Sequence, residues 1–424
     1  MPFSPLFSDA GLERIERTLV MGGVALREIA DGAGTPVYVY HADVIRRQFR
    51  ALDRALQGVP HRIAFAVKAN GNLAVLRVLR DLGAGADIVS GGELARALAA
   101  GFPADRVVFS GVGKTDDELG AAVEAGVGHV HLESAAELEA LGGIVARLGR
   151  PMRVGIRVNP DVTAETHPYI ATGQGGIKFG VPFDQVVALG VAVSRHPLLS
   201  LDTIAMHIGS QLLDAAPYAE GVGRLLEVVA RLRAAGVDGI STLDIGGGLG
   251  IRYRDEDPLS PEALAATVVP LVRDSGLTLT LEPGRYLVGS AGVMLTTVLS
   301  RKHSGGKDLV IVDAGMNDLV RPSHYMAYHA MSEVESHGRD EAEVDIVGPV
   351  CETGDFLARD RTLPALERGE RLAVLGAGAY GFVMASNYNT RPRPAEVMVD
   401  GGRWWVARPR EEVEELYQGE RVSP

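Results

Sequence analysis

The sequence predicts an α/β protein, a (β/α)8 TIM-type barrel followed by a C-terminal, mostly-β domain. Three observations predict it. Short apolar runs recur between residues 62 and 281 at fairly regular spacing. Ala/Leu/Arg-rich helical stretches lie between them. After Leu287 the helical stretches thin out and strand-like runs follow one another. Strand–helix alternation means right-handed βαβ units and a parallel sheet. Eight units in succession favour a closed barrel. A doubly wound open sheet is the structural alternative.

The expected barrel strands are 62–67, 86–89, 106–109, 129–132, 152–158, 203–207, 242–245 and 278–281. The clearest helices between them are 74–82, 92–100 and 117–125. Beyond the barrel, strands are expected at 293–299, 309–312, 343–347, 371–375, 396–399 and 403–407. An early strand at 37–40 is placed with this second domain. The expected division is therefore 40–287 for the barrel, and 1–39 with 288–424 for the β domain.

Composition narrows the function classes. The chain has 424 residues, a net charge of −12, 46% hydrophobic and 23% charged residues. Apolar residues run throughout, which excludes disorder as the dominant state. The acidic balance argues against nucleic acid, which needs a basic face. No apolar run approaches the roughly 18 residues of a membrane span. The first twenty residues carry Asp9, Glu13 and Glu16 and lack an apolar core, so no secretory signal is expected. One cysteine permits neither an internal disulfide nor a Cys-rich metal site. A cytoplasmic protein that needs no metal is expected.

Barrel active sites lie at the C-terminal strand ends. Here those ends carry chemistry. Strand one ends in Lys68-Ala69-Asn70 and strand two in Ser90-Gly91-Gly92-Glu93. Strand six ends in His207-Ile208-Gly209-Ser210 and strand seven in Gly246-Gly247-Gly248. Strand eight ends in Glu282-Pro283-Gly284-Arg285. The asymmetry points to an enzyme.

Each feature has a plain reading beside the chemical one. The glycine run is either a tight turn or a set of backbone N–H groups turned on an anion. Lys68 either snorkels from the barrel mouth or is a desolvated, nucleophilic amine able to form a Schiff base with pyridoxal phosphate. His207 either satisfies a core hydrogen bond or stacks on a flat cofactor ring. Glu282 and Arg285 form an ion pair in a turn, or meet a pyridine nitrogen and a ligand anion. Cys351 is either a small buried hydrophobe or, given its Gly, Pro and acidic neighbours, part of a loop. Lys178 reads as a loop or helix-entry lysine. Glu412, Glu414 and Glu415 read as a solvated terminal helix.

Taken together these residues resemble the diaminopimelate decarboxylases, a family of alanine racemase-like (fold type III) enzymes. The resemblance covers nearly the whole chain. It is carried in order by Gly34-Thr35-Pro36-Val37-Tyr38-Val39-Tyr40, Ala66-Val67-Lys68-Ala69-Asn70, the stretch Asp87-Ile88-Val89-Ser90-Gly91-Gly92-Glu93-Leu94, and Asn159-Pro160-Asp161. Thr166-His167-Pro168-Tyr169, Lys178-Phe179-Gly180 and His207-Ile208-Gly209-Ser210-Gln211 follow. Then come Gly246-Gly247-Gly248-Leu249-Gly250, Glu282-Pro283-Gly284-Arg285, Asn317-Asp318-Leu319-Val320-Arg321-Pro322, Gly348-Pro349-Val350-Cys351-Glu352 and Gly378-Ala379-Tyr380-Gly381.

The resemblance implies roles. Lys68 carries pyridoxal 5'-phosphate and His207 stacks on its ring. Ser210, Gly246, Gly247, Gly248 and Tyr380 surround the phosphate, with Gly284 and Arg285 completing the cofactor contacts. Glu282 meets the pyridine nitrogen. Arg285, Arg321, Tyr325 and Tyr380 face the substrate, with the arginines on its distal carboxylate. Glu352 takes its distal ammonium, and Cys351 is the proton donor. Cys351 and Glu352 come from a partner subunit, which implies a homodimer with shared active sites. The implied reaction is decarboxylation of meso-2,6-diaminopimelate to L-lysine and CO2.

The residue types agree with that chemistry. A carboxylate at Glu282 keeps the pyridine nitrogen protonated, which favours loss of CO2; an arginine there would favour racemisation. Two arginines beside Glu352 suit a zwitterionic distal centre. The nearest alternatives are decarboxylases acting on ornithine, lysine, carboxynorspermidine or carrier-bound glutamate. A non-catalytic pyridoxal-phosphate-binding protein is the other class. Segment 163–176, rich in Gly and Thr, is a candidate lid.

Overall fold

In the computed structural model, the described residues are 5–162 and 178–422. The candidate lid, 163–176, and the motif at 166–169 lie outside them. The chain divides into two compact units. One comprises Gln48–Ile251 and Asp257–Tyr286; the other comprises Met1–Arg47, Arg252–Glu256 and Leu287–Pro424.

The first unit is a closed parallel barrel. Its strands are β1 (His61–Ala66), β2 (Gly85–Ile88), β3 (Val107–Phe109) and β4 (His129–Leu132). Then follow β5 (Met152–Asn159), β6 (Leu199–Ala205), β7 (Thr242–Asp244) and β8 (Thr278–Leu281). Each pairs in parallel with the next, and β8 pairs back onto β1 through Leu279↔His61 and Leu281↔Ile63. The open-sheet alternative is thereby excluded. Most strand residues are buried because helices cover the outer face and side chains fill the inner one.

Helix starts fix how the chain leaves each strand. Ser90, Thr115 and Ser134 each accept a hydrogen bond from a backbone N–H three residues on. Thr115 and Glu118 reciprocate as a capping box. After β1 the chain makes one 3-10 turn, Val67–Ala69, before helix Leu73–Asp81. Asn72 caps that helix on Ala74 N, and its own N–H donates to Asn70 Oδ1. Lys68 thus sits in a turn pinned between a strand and a capped helix. The sixth strand stops at Ala205, short of the expected 207, so His207 belongs to the loop that follows.

The second unit is built on a β-sheet. Its order is Phe356–Pro364, Glu341–Val347, Lys307–Val312, Gly292–Ser304, Val37–His41, Ala395–Asp400 and Arg403–Arg408. The early strand pairs antiparallel with Gly292–Ser304 and parallel with Ala395–Asp400. A core of Leu19, Leu26, Val39, Val293, Leu295 and Val397, among others, lies against it.

Several elements differ from expectation. Phe356–Pro364 and Met331–Glu333 are strands that the apolar pattern does not reveal. Leu12–Ile15, Thr18–Met21 and Val24–Ala25 form an unforeseen small sheet. The expected terminal helix is a single exposed 3-10 turn, Val413–Leu416. Among the described residues no helix is long and apolar enough to cross a membrane.

Asn72→Ala removes the cap behind the Lys68 turn. It should lower unfolding stability by about 1 kcal/mol, read from denaturant midpoints. An unchanged midpoint would mean that the cap does not hold this turn.

Candidate active site

A cavity of about 320 Å³ opens among the C-terminal ends of the barrel strands. Lys68, His131, Arg157, Phe179, His207 and Glu282 line it. Lys68 Nζ lies 3.2 Å from Asp87 Oδ2, and Asp87 is fully buried. Asp87 also accepts the hydroxyl of Ser110. Of the two readings of Lys68, the structure matches a lysine at the barrel mouth rather than a fully desolvated amine: its side chain is 36% exposed and held by an ion pair. The charge on Asp87 tethers the amine while leaving it accessible from the cavity.

His207 and the glycine run form one structure. Gly247 N–H donates to His207 Nδ1 at 3.2 Å, so the ring proton is on Nε2. Burial, with Lys68 and Arg157 nearby, holds His207 well below the usual histidine range, and the ring is neutral at neutral pH. Gly246 and Gly248 take φ of 70° and 114°, which side chains disfavour. A Cβ on Gly247 would lie 2.3 Å from the Glu282 carbonyl. Tyr218 donates its hydroxyl to Gly247 O at 3.0 Å. Arg285 turns toward this end of the barrel and donates to Ser210 Oγ at 3.0 Å. Gly284 packs on the Lys68 turn, where a Cβ would come 2.9 Å from Ala69 Cβ.

Glu282 is buried. Burial, with Asp244 and Asp87 close by, pushes its carboxyl well above the ordinary range. Its Oε1 is buried without a hydrogen-bond partner among the described residues. Of the described residues, His131, Asp244 and Glu282 are the group that could hold a metal, their ligating atoms lying within 4.8 Å of one another. A cationic ring nitrogen would answer the same need for positive charge.

The other predicted site residues belong to the β unit. Arg321 opens the helix Arg321–Tyr325 and is buried. It donates to His329 Nε2 at 2.9 Å and lies 4.7 Å above the Tyr253 ring. His329 Nδ1–H in turn donates to Leu375 O at 2.8 Å. Tyr325 ends the same helix. Cys351 is exposed in a loop, which excludes the buried-hydrophobe reading, and its N–H donates to Asn389 Oδ1 at 2.8 Å. Glu352 beside it is exposed and hydrogen-bonds to Tyr388. Tyr380 takes φ of 56°, an unusual conformation for a non-glycine residue.

The sequence reading gives no role to Asp87, Ser110, His131, Arg157 or Asp244. A signal for three of them was present. His131, Arg157 and Asp244 are polar or charged residues on otherwise apolar strands, and such residues are rarely buried without a task. Arg157 donates to Glu133 at 2.8 Å and covers the Phe179 ring at 4.8 Å. Lys178, expected in a loop, is exposed and lines the cavity.

Gly247→Ala should lower the thermal midpoint and the retention of pyridoxal phosphate together, because its Cβ meets backbone rather than a movable side chain. Unchanged melting and unchanged retention would show that the strand-eight loop yields freely.

Comparison with known proteins agrees with this geometry. Residues 42–289 match the family model described as pyridoxal-dependent decarboxylase, pyridoxal binding domain. The diaminopimelate decarboxylase of Pseudomonas aeruginosa is 51% identical over 406 residues, which is 95% of this chain and 96% of that protein. The diaminopimelate decarboxylase of Helicobacter pylori, solved in complex with L-lysine, is 38% identical with a TM-score of 0.89. It covers 93% of this chain and 98% of its own. The enzyme of M. jannaschii, also solved with L-lysine, is 34% identical with a TM-score of 0.92, over 97% and 98% of the two chains. The chain belongs to the pyridoxal-dependent decarboxylases, within the diaminopimelate decarboxylase family.

Proposed function

We propose that this chain decarboxylates meso-2,6-diaminopimelate to L-lysine and CO2, the closing step of lysine synthesis, using pyridoxal 5'-phosphate. The observation that carries the reading is the joining of Lys68, neutral His207, the glycine run and Glu282 around one barrel mouth, in a chain 51% identical to a diaminopimelate decarboxylase. The residues fit the cofactor. The glycine run leaves room that side chains would fill, and Glu282 offers a buried oxygen without a hydrogen-bond partner among the described residues. Bound at Lys68, pyridoxal phosphate supplies a sink for the electrons of the broken bond to the carboxyl group.

The chain's own residues do the rest. Asp87 positions the Lys68 amine for covalent capture. His207, kept neutral and fixed in one tautomer by Gly247, would face the cofactor ring without adding charge. Ser210, Gly246 to Gly248 and Tyr380 hold the phosphate, with Gly284 and Arg285 beside them. Glu282 holds the proton on the ring nitrogen, since an adjacent negative charge favours the cationic form. Arg285, Arg321 and Tyr325 take the distal carboxylate, with Tyr380 beside them, and Glu352 takes the distal ammonium. Cys351 returns a proton to the α-carbon.

Substrate choice rests on this distal charge pattern. Buried guanidinium groups left without a carboxylate disfavour ornithine and lysine. Arg321 is already oriented by His329 and Tyr253. Cys351 and Glu352 are exposed in their loop, which suits delivery into the site of a partner subunit. The working unit is accordingly a homodimer with shared sites. A cytoplasmic location accords with the single free cysteine.

The direct test is lysine release from meso-diaminopimelate by protein loaded with pyridoxal phosphate, with L-ornithine and L-lysine in parallel. Lysine from meso-diaminopimelate alone is expected. Failure with an intact cofactor spectrum would move the assignment to a related substrate. Arg321→Ala should raise KM for diaminopimelate by tenfold or more, a loss of about 1.5–3 kcal/mol, with little change in cofactor affinity. Equal effects on both would make Arg321 structural. Lys68→Ala and Cys351→Ala proteins, each inactive, should regain about a quarter of parental activity when co-expressed, because half the dimers then carry one intact site. No recovery would place each site within one chain.

A further inference from the structure

The proposed chemistry gives no task to a buried acid beside Glu282. Asp244, at the end of β7, sits beside Glu282 on the side away from the catalytic cavity. Both are buried, and they share a backbone frame. Gly246 N donates to Asp244 Oδ1 at 2.8 Å, and Glu282 N donates to Gly246 O at 2.8 Å. Two carboxyl groups this close, away from water, do not both ionise readily, and one proton between them lowers the energy. Burial pushes both acids above the ordinary carboxylate range; the charge on Asp244 pushes Glu282 further, whereas the hydrogen bond with Glu282 draws Asp244 back.

The surroundings do not supply a cation to replace that proton. Asp87 adds further negative charge, while Lys68 and Arg157 offset it in part. His131 is the close basic neighbour, its Nδ1 being 4.0 Å from Glu282 Oε1. It is fully buried, with His129, Lys114 and Arg157 nearby, and is held well below the usual histidine range. It is therefore a neutral companion.

A second cavity reaches Asp244 from the opposite end of the barrel. It has a volume of about 400 Å³ and is lined by His61, Arg106 and Arg153, near the starts of β1, β3 and β5. His131 and Asp244 line it as well. His131 also lines the catalytic cavity. Water entering by this route meets Asp244 without passing the cofactor.

We propose that Asp244 is a positioning residue for the cofactor ring. When a cationic ring nitrogen meets Glu282, Asp244 takes the single proton of the pair, leaves Glu282 ionised, and exchanges that proton with solvent through the cavity at the N-terminal end of the barrel. The proposal rests on the reading of Glu282 as the nitrogen's partner. No bond beyond O–H is made or broken. Without a donor at 244, Glu282 would take up the proton itself and lose its hold on a cationic nitrogen.

Asp244→Asn separates this from a structural role. The amide oxygen still accepts from Gly246, and the amide N–H donates permanently to Glu282. Protein bearing Asp244→Asn should retain pyridoxal phosphate within about threefold of the parent, whereas Asp244→Leu should weaken it by about tenfold or more, one pKa unit being one factor of ten. The pH dependence of melting, measured on the loaded full chain, gives a second reading. An acid whose folded pKa is raised lends its full stability below the unfolded value of about 4 and loses it as pH rises toward the folded value. The parent's thermal midpoint should therefore fall relative to Asp244→Asn between about pH 4 and pH 7. Loss of cofactor in Asp244→Asn, or parallel midpoint curves, would overturn the proposal even if Asp244→Leu fails to fold. Glu282→Gln is the separate control. If it keeps the cofactor with an unchanged spectrum, the reading of Glu282 fails, whereas loss there with parallel curves for Asp244→Asn sinks the role of Asp244 alone.

Discussion

The seam between the first and last barrel strands is the constraint on which the site depends. Leu281 lies opposite Ile63, and Ala66 N–H donates to Pro283 O at 3.2 Å. Closing the ring at this register sets the Lys68 turn beside the Glu282 loop, although 214 positions separate them in sequence (282 − 68). Gly284 lets the two turns touch, because a side chain there would strike Ala66 and Ala69. The Lys68 amine and the Glu282 carboxyl are thus spaced by backbone hydrogen bonds.

The second layer of order comes from groups that hold other groups. Gly247 fixes the tautomer of His207, Tyr218 holds Gly247, and Asp244 holds Gly246. Asp87 ties Lys68 and Ser110 into one charge-balanced knot. Arg321 depends in the same way on a neutral His329, whose other nitrogen is spent on Leu375 O. The His207 and Arg321 chains end on backbone, so these side chains are oriented by the main chain, whereas Lys68 is held by the side chain of Asp87.

Much of this was legible in the sequence for identifiable reasons. Parallel barrel strands are buried on both faces, so they stand out as apolar runs, and their ends inherit the polar residues. Lys68, His207, Gly246 and Glu282 all announce themselves in that way. Phe356–Pro364 does not. Asp360 takes a positive φ and the register slips at this strand, and its Ala-Arg-Asp-Arg centre breaks the alternation. Leu12–Ile15 and its partners are too short to carry a period. The polar interior of the barrel was only half legible. His131 and Asp244 stand out as polar residues within apolar runs, but the runs do not say which task they serve.

The charged mouth at the N-terminal end of the barrel has a consequence for engineering. A designer seeking heat resistance would choose that 400 Å³ hollow first, since filling voids with methyl groups is a common route to a higher melting temperature. In this chain the hollow touches Asp244 and His131. Packing it with leucine would shut Asp244 off from that hollow, while His131 would still face the catalytic cavity. The gain in heat resistance would come at the expense of an acid's access to solvent.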